Sequence, residues 1–315
     1  MQPTPIVFVQ PSVVAKTKRF SFQQVSVSAL ILAAVCTLFF VFFLFLNNKP
    51  VPPTPPPASL PFINITIIDC GQGDAILISG PDFCILYDTG RWQASDIVPY
   101  LSSQNITSLD LLVGSHVHAD HIGQHTNVLN ALKVNEVWMP GTSTTTQTFL
   151  RTLRSILISG TKYREPRAGQ VYAFANNLIL HVLNPPSLNE NIHPACIVIK
   201  VVWGDFSIIL TGDVETVTES AIVNRGYDLK STVLKLSHHG SSTSTSESFL
   251  RAVDPELAVY SASSTNQYGH PHSVVIDRLR SYNVSVFGTN IHGHVKITTN
   301  GQSFSVATQK SAPPL

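Results

Sequence analysis

Residues 115–123 read Ser-His-Val-His-Ala-Asp-His-Ile-Gly, and this string constrains the chain more than any other part of it. Three histidines and one aspartate fall within six positions, directly behind the apolar run LDLLVG. If that run is a strand, its end releases the backbone into a loop able to aim several side chains at one point. Imidazole nitrogen and carboxylate oxygen suit zinc, manganese or iron. Coincidental histidines in a polar loop are the bland alternative, and the density of H-x-H-x-D-H argues against it.

Further ligand types follow in order, each just past an apolar run. Asp213 ends FSIILTGD (206–213), where a carboxylate can bridge two ions held about 3.5–4 Å apart. The alternative role for Asp213 is to cap a helix starting at Val214. His238 and His239 end VLKLSHH (233–239) and precede Gly240. Adjacent histidines point in different directions, so one is expected to bind metal and the other to face substrate. Tyr268-Gly269-His270-Pro271-His272 supplies a glycine-hinged, proline-braced histidine loop.

Hydrophobic residues make up 43% of the 315, charged residues 12%, and the net charge is +1. That balance suits one large packed domain with an extra apolar segment and argues against disorder. It excludes any whole-chain inference about a polyanionic partner, which would need a local basic patch. Lys162, Arg164 and Arg167 in TKYREPRAGQ form one such cluster, to be weighed against a solvated loop. There is no CxxC pair among Cys36, Cys70, Cys84 and Cys196, so neither a zinc ribbon nor a thioredoxin-like motif is available. Cys70 and Cys84 can form a disulfide in an extracytoplasmic domain, with the reduced, buried state as the alternative. N-x-S/T sequons occur at Asn64, Asn105 and Asn283.

Residues 1–26 are a short basic tail, and 27–46 carry no charge at all. A run of about 20 apolar residues matches the hydrocarbon thickness of a bilayer and predicts a transmembrane anchor. A cleaved signal peptide would have a core of about 7–15 residues followed by small residues. Here the run ends in Phe42, Phe43, Leu44, Phe45 and Leu46. Lys16, Lys18 and Arg19 precede it and only Lys49 closely follows, so the N-terminus is expected in the cytoplasm and the globular domain outside. Residues 47–61 form a proline-rich linker, extended and semi-rigid. The globular domain is expected over 62–306 and a disordered tail over 307–315.

Within that domain, strands are predicted over 63–68, 75–79, 83–88, 109–116, 177–183, 196–203, 206–213, 233–239 and 257–263. Helices fit around 93–103, 123–132, 146–158, 215–225, 245–252 and 273–281. Strand-rich halves interrupted by helices suggest an α+β architecture: an αββα sandwich, two sheets face to face with helices outside.

His116-x-His118-x-Asp120-His121 resembles the signature of the metallo-β-lactamase superfamily. More narrowly, Asp69-Cys70-Gly71-Gln72-Gly73-Asp74-Ala75, Leu210-Thr211-Gly212-Asp213, His238-His239-Gly240-Ser241 and Asn266-Gln267-Tyr268-Gly269-His270-Pro271 resemble the C-terminal domain of ComEC-type competence proteins. The resemblance implies two divalent metal ions, zinc or manganese first among them. It gives His116 and His118 to one ion, Asp120 and His121 to the other, Asp213 as the bridge and His238 as the last ligand. His193 falls where many members supply a further histidine, and His181 is also available. Gln124, where a second glycine is frequent, and Cys70, where valine is usual, depart from the pattern without removing a ligand. The implied activity is hydrolysis by a hydroxide shared between the metals, with phosphodiesters or nucleic acid as substrate. Asp120, His239 and His270 are the expected catalytic residues. A small ester, lactone or phosphorylcholine ester is the alternative substrate, and a metal-binding module without turnover the third reading.

Overall fold

Behind the linker, the short apolar runs become strands and their turn punctuation becomes the loops that carry the polar residues. The computed structural model describes residues 27–47, 60–93, 96–174 and 177–315. The basic tail 1–26 and the linker residues 48–59 lie outside them, and with them Lys16, Lys18, Arg19 and Lys49. Helix α1 (Val27–Asn47) belongs to one compact unit and the chain from Ala58 onward to another. Among the described residues no helix is long and apolar enough to cross a membrane. The spanning helix expected over 27–46 thus finds no support among the described residues.

The larger unit opens with β1 (Ile63–Ile67), β2 (Ile76–Ser79), β3 (Cys84–Tyr87), β4 (Ser108–Val113), β5 (Lys133–Trp138) and β6 (Lys162–Arg164). A second sheet follows with β7 (Val171–Ala173), β8 (Ile179–Asn184), β9 (Val198–Trp203), β10 (Phe206–Leu210), β11 (Val233–Lys235), β12 (Leu257–Tyr260) and β13 (Ser285–Gly288). The chain then returns to the first sheet as β14 (Val295–Thr299) and β15 (Phe304–Thr308). Among the described residues the strand orders are β15-β14-β1-β2-β3-β4-β5-β6 and β13-β12-β11-β10-β9-β8-β7.

Both sheets are mixed. Strands β3 to β6 are parallel, and so are β10 to β13; the central β10, β11 and β12 are buried along their whole length, as strands covered on both faces are. The inner faces meet in one core containing Ile65, Ile78, Leu111, Trp203, Ile208 and Val259. Outside the first sheet pack α2 (Ile97–Ser103), α3 (His125–Ala131) and α4 (Gln147–Ser159) through Leu101, Val128 and Phe149. Outside the second pack α5 (Thr216–Asn224), α6 (Glu247–Val253) and α7 (Ser273–Ser281) through Ile222, Phe249 and Leu279. This is the expected four-layer sandwich.

Several boundaries differ from the sequence reading, for identifiable reasons. The strand expected to end at His116 stops at Val113, because the Ser115 N–H donates to the Asp88 carboxylate (2.7 Å) instead of to a neighbouring strand. The strand expected over 233–239 stops at Lys235, since His238 and His239 adopt φ of 49° and 57°. Helix α5 begins at Thr216 with Glu215 at the cap position, so Asp213 is not its cap. The tail expected to be disordered over 307–315 is ordered: β15 runs to Thr308, and the Leu315 N–H donates to the Val286 carbonyl (2.9 Å). Cys70 and Cys84 are free thiols rather than a disulfide. At the sequons, Asn64 accepts from Thr298 (2.8 Å), while Asn105 and Asn283 take φ of 58° and 57°, the left-handed conformation asparagine tolerates.

Candidate metal centre

The parallel strands deliver the polar loops to one edge of the sandwich. The loops after β4, β10, β11 and β12 leave the carboxyl ends of their strands, where sheets of this kind leave crevices for ligands. His193 joins them from the β8–β9 connection. Ligand atoms of His116, His118, His193 and Asp213 lie within 4.8 Å of one another, as do those of Asp120, His121 and His239. Asp213 belongs to both neighbourhoods. Its Oδ2 is 3.7 Å from His116 Nε2, while its Oδ1 is 3.3 Å from His121 Nε2 and 3.7 Å from His239 Nε2.

These residues fit a bound metal ion. His121 Nε2, His239 Nε2 and Asp213 Oδ1 are buried and have no hydrogen-bond partner, although they converge on one point. Stranded buried polar atoms are costly, and a shared cation would satisfy all of them. The outer nitrogens are already engaged. Asp88 Oδ2 is 2.8 Å from His121 Nδ1, and the Ser261 carbonyl is 3.1 Å from His239 Nδ1. Such outer contacts fix the tautomer and leave Nε2 free to bind. Replacing Asp88 by alanine is therefore expected to weaken metal affinity about 10–100-fold, measured by competition against a chromophoric chelator. Unchanged affinity would remove Asp88 from the centre.

His193 enters the first group, whereas His181 lies on β8 and joins no ligand group among the described residues. The ligand expectation named His238, with His239 facing substrate. The geometry gathers His239 with Asp120 and His121, and sets His238 beside His193 and Glu215. Glu215 Oε1 lies 3.6 Å from His193 Nδ1 and 3.5 Å from His238 Nδ1. His270 falls in no ligand group among the described residues, yet its ring is 5.6 Å from that of His238 and 6.1 Å from that of His239. Away from these groups, Arg164 pairs with Glu136, and Arg167 with Glu165 at 2.9 Å, so both are tied to local carboxylates. Gln124 is buried, holding the Asp96 carboxylate (2.9 Å) and the Arg91 carbonyl (3.1 Å).

The loops are fixed from behind. A Cβ on Gly73 would stand 2.1 Å from the Asp120 carbonyl oxygen, so only glycine lets the Asp69–Asp74 loop press against the histidine loop. Gly240, at φ 84°, likewise admits Pro271, which a Cβ would meet at 2.7 Å. Buried Glu219 accepts from the backbone N–H groups of Thr245 (2.6 Å) and Ser246 (2.7 Å) and from Ser237 Oγ (3.1 Å), pinning the histidine turn. Burial disfavours a charged His121, but Asp213, Asp88 and Asp120 outweigh it and raise its pKa well above the ordinary value. At His116 burial and the neighbouring His121 prevail, and the pKa is lowered.

Residues 68–264 match the family profile described as the metallo-beta-lactamase superfamily. The chain belongs to that superfamily. Its relatives within it are ComEC-like competence proteins. ComE operon protein 3 of Bacillus subtilis (strain 168) is 30% identical over 74% of this chain and 32% of its own length. Competence protein ComA of Neisseria gonorrhoeae is 33% identical over 73% of this chain and 31% of its own. The chain thus spans about a third of the curated relatives it matches. Among solved structures, the metallo-beta-lactamase fold protein YhfI of Bacillus subtilis shares the fold at a TM-score of 0.50 and 14% identity, covering 72% of this chain and 96% of that one. CmlA, a diiron beta-hydroxylase of Streptomyces venezuelae, shares it at 0.51 and 10%, covering 78% and 55%.

Asp88, Glu215, Glu219 and the buried Lys235–Asp74 pair escaped the sequence reading as parts of the site. Asp88 did carry a signal, because it ends the apolar run FCILYD just as Asp213 ends FSIILTGD. Lys235 carried another, a lone cation inside the apolar run VLKL.

Proposed function

We propose that this metallo-β-lactamase chain is a binuclear metal-dependent phosphodiesterase. The observation that carries the reading is Asp213, whose two carboxylate oxygens face different groups of histidines. His116, His118 and His193 would hold one ion with Asp213, and Asp120, His121 and His239 the other. Zinc or manganese bound there supplies Lewis acidity and lowers the pKa of a captured water from 15.7 toward about 7. Asp120, whose side chain is 26% exposed, offers the carboxylate edge that orients the attacking water. The names of the relatives, which speak of competence and, for Recombination protein 2 of Haemophilus influenzae, of recombination, favour a nucleic-acid phosphodiester.

His270 serves turnover in this reading. Asn266 clamps it at both ends, accepting from its backbone N–H and donating to its carbonyl, each at 2.8 Å. Burial, with His239 and His238 close by, pushes its pKa down to about 4, so at neutral pH it is a neutral imidazole that can donate a hydrogen bond to growing anionic charge. His270→Ala is expected to retain metal and lose about 10²–10³ in kcat. Loss of a metal equivalent would make it a ligand, and an unchanged kcat would make it structural.

Metal analysis joined to a substrate screen tests the whole reading. Bis-p-nitrophenyl phosphate, oligonucleotides, phosphorylcholine esters and lactones belong in one panel. Turnover of lactones or carboxylic esters without phosphodiesters would establish the alternative substrate class.

Although no described helix is long and apolar enough to cross a membrane, we propose the uncharged run 27–46, which α1 covers, as a membrane anchor on the strength of its sequence. It carries no charged residue, and its exposed side chains include Ile31, Leu32, Leu38, Phe39 and Phe42. Twenty helical residues extend about 30 Å, the thickness of the hydrocarbon core. The excess of basic residues ahead of it in the sequence favours an extracytoplasmic catalytic domain. Protease added to intact cells should then digest the domain, and digestion only after permeabilisation would reverse the topology.

A further inference from the structure

Beside the metal centre lies a cavity of about 350 Å³ between the Cys70–Gln72 loop and the Ser263–Tyr268 loop. Chain neighbours and a ring contact link the cavity to the centre. Gln72 adjoins Gly73, which presses on the Asp120 backbone, and the Tyr268 ring stacks on the His270 ring at 5.6 Å and 22°. The Ser263 N–H donates to Gln72 Oε1 (3.3 Å), which ties the two loops together at the cavity. Any substrate with its reacting group at the metals therefore has room to extend a neighbouring group here.

The lining defines what that group is. Among the described residues that line it, Arg91 is the one cation and none is a carboxylate. Arg91 is half-buried and forms no ion pair among the described residues, whereas the half-buried Arg225 and Arg278, also without a carboxylate, donate to the carbonyls of Leu183 and Thr245. A partly desolvated guanidinium calls for an anionic partner, and its planar fork suits phosphate oxygens. Around it, Gln72, Gln93 and Gln267 offer carboxamides, and Tyr268, 52% exposed, offers a ring face on which a planar group can stack.

We infer that this cavity is a subsite for the phosphate next to the scissile one in a polynucleotide strand, with Arg91 as its partner and Tyr268 as the stacking platform. The inference rests on the phosphodiesterase reading. It makes the enzyme selective for substrates with more than one phosphate.

The test compares a short oligothymidylate with bis-p-nitrophenyl phosphate, which has a single phosphate. Full-length Arg91→Gln, Tyr268→Ala and, as a cation removed elsewhere, Lys162→Ala are measured beside the wild type. Binding of fluorescein-labelled oligothymidylate to the metal-free protein is measured by anisotropy, after near-UV circular dichroism has established native packing. Arg91→Gln is expected to raise both Kd and KM for the oligothymidylate about tenfold or more, the scale of one lost hydrogen-bonded charge partner. Its loss on bis-p-nitrophenyl phosphate should be several-fold smaller, and Lys162→Ala should fall well short of it. Equal losses on the two substrates, or a Kd no worse than that of Lys162→Ala, would overturn the subsite. Wild-type protein that binds the oligothymidylate but cleaves neither substrate would sink the phosphodiesterase reading alone, leaving the subsite to stand or fall on Kd. Protein that neither binds nor cleaves would sink both.

Discussion

Asp213→Ala is expected to strip metal from both halves of the centre and to lower kcat/KM by at least about 10³-fold, more than removal of a single transition-state donor costs. Most ligands in the proposed scheme serve one ion: His116→Ala should loosen the first and His121→Ala the second. Asp213 is the residue whose oxygens face both groups, at 3.7 Å from His116 Nε2 and 3.3 Å from His121 Nε2. Elemental analysis after dialysis reads the outcome directly, and an Asp213→Ala protein that keeps about two equivalents would refute the bridging scheme.

The metal-free protein provides an independent check of the same carboxylate. Burial works against a charged His121 and a charged His239, but Asp213 is the largest opposing influence at both, and their pKa values are raised. A histidine whose folded pKa exceeds its unfolded value contributes stability that is complete below about pH 6.5 and is lost as pH climbs through the raised value. Metal-free wild type should accordingly weaken toward alkaline pH. Asp213→Ala, lacking the carboxylate that raises both values, should show a flatter profile.

What could be read from the sequence follows from how the site is built. His116, His118, Asp120 and His121 are legible because they are packed into one loop, and Asp213 because the end of an apolar run marks the end of a strand. Which of His238 and His239 faces Asp120 is not legible. It depends on two consecutive left-handed backbone conformations, at φ 49° and 57°, that bring His239 to Asp120 and set His238 between Glu215 and Asp213 Oδ2, the latter 3.9 Å from its Nε2. Spacing could nominate His193 but not place it, because the β8–β9 connection has to fold back before that ring reaches His118, 5.1 Å away. The strands that escaped prediction, β5 to β7 and β13 to β15, are mostly short or edge-lying, with exposed positions that interrupt the apolar pattern. Tertiary pairing, more than local preference, makes them strands.

Lys235→Met is expected to destabilise the fold by about 3–5 kcal/mol, the cost of leaving one member of a buried ion pair without its partner. Lys235 and Asp74 are both 0% exposed, with Lys235 Nζ 2.7 Å from Asp74 Oδ1 and 2.8 Å from Oδ2. Lys235 reaches from β11 of one sheet to the Asp69–Asp74 loop that begins in the other, so the pair ties the sheets together directly beneath the centre. Burial pushes the Asp74 carboxyl toward its neutral form, and Lys235, His239 and His121 more than offset that, so its pKa is lowered. A depressed carboxylate contributes stability that is present above its unfolded value of about 3.9 and disappears as pH falls through the folded one. With Lys235 gone, Asp74 should take up a proton at higher pH, and the variant's deficit should narrow in acid. The same carboxylate lies 3.7 Å from His239 Nδ1, the outer nitrogen of a histidine of the centre, so the pair also sits against the site. Combining Lys235→Met with Asp74→Leu removes both charges and should recover much of the lost stability, since a well-packed apolar pair of similar volume is often neutral to a fold. Denaturant unfolding of the wild type, the single variant and the double variant settles it: a single variant within about 1 kcal/mol of wild type would mean the pair carries no more than a surface contact does.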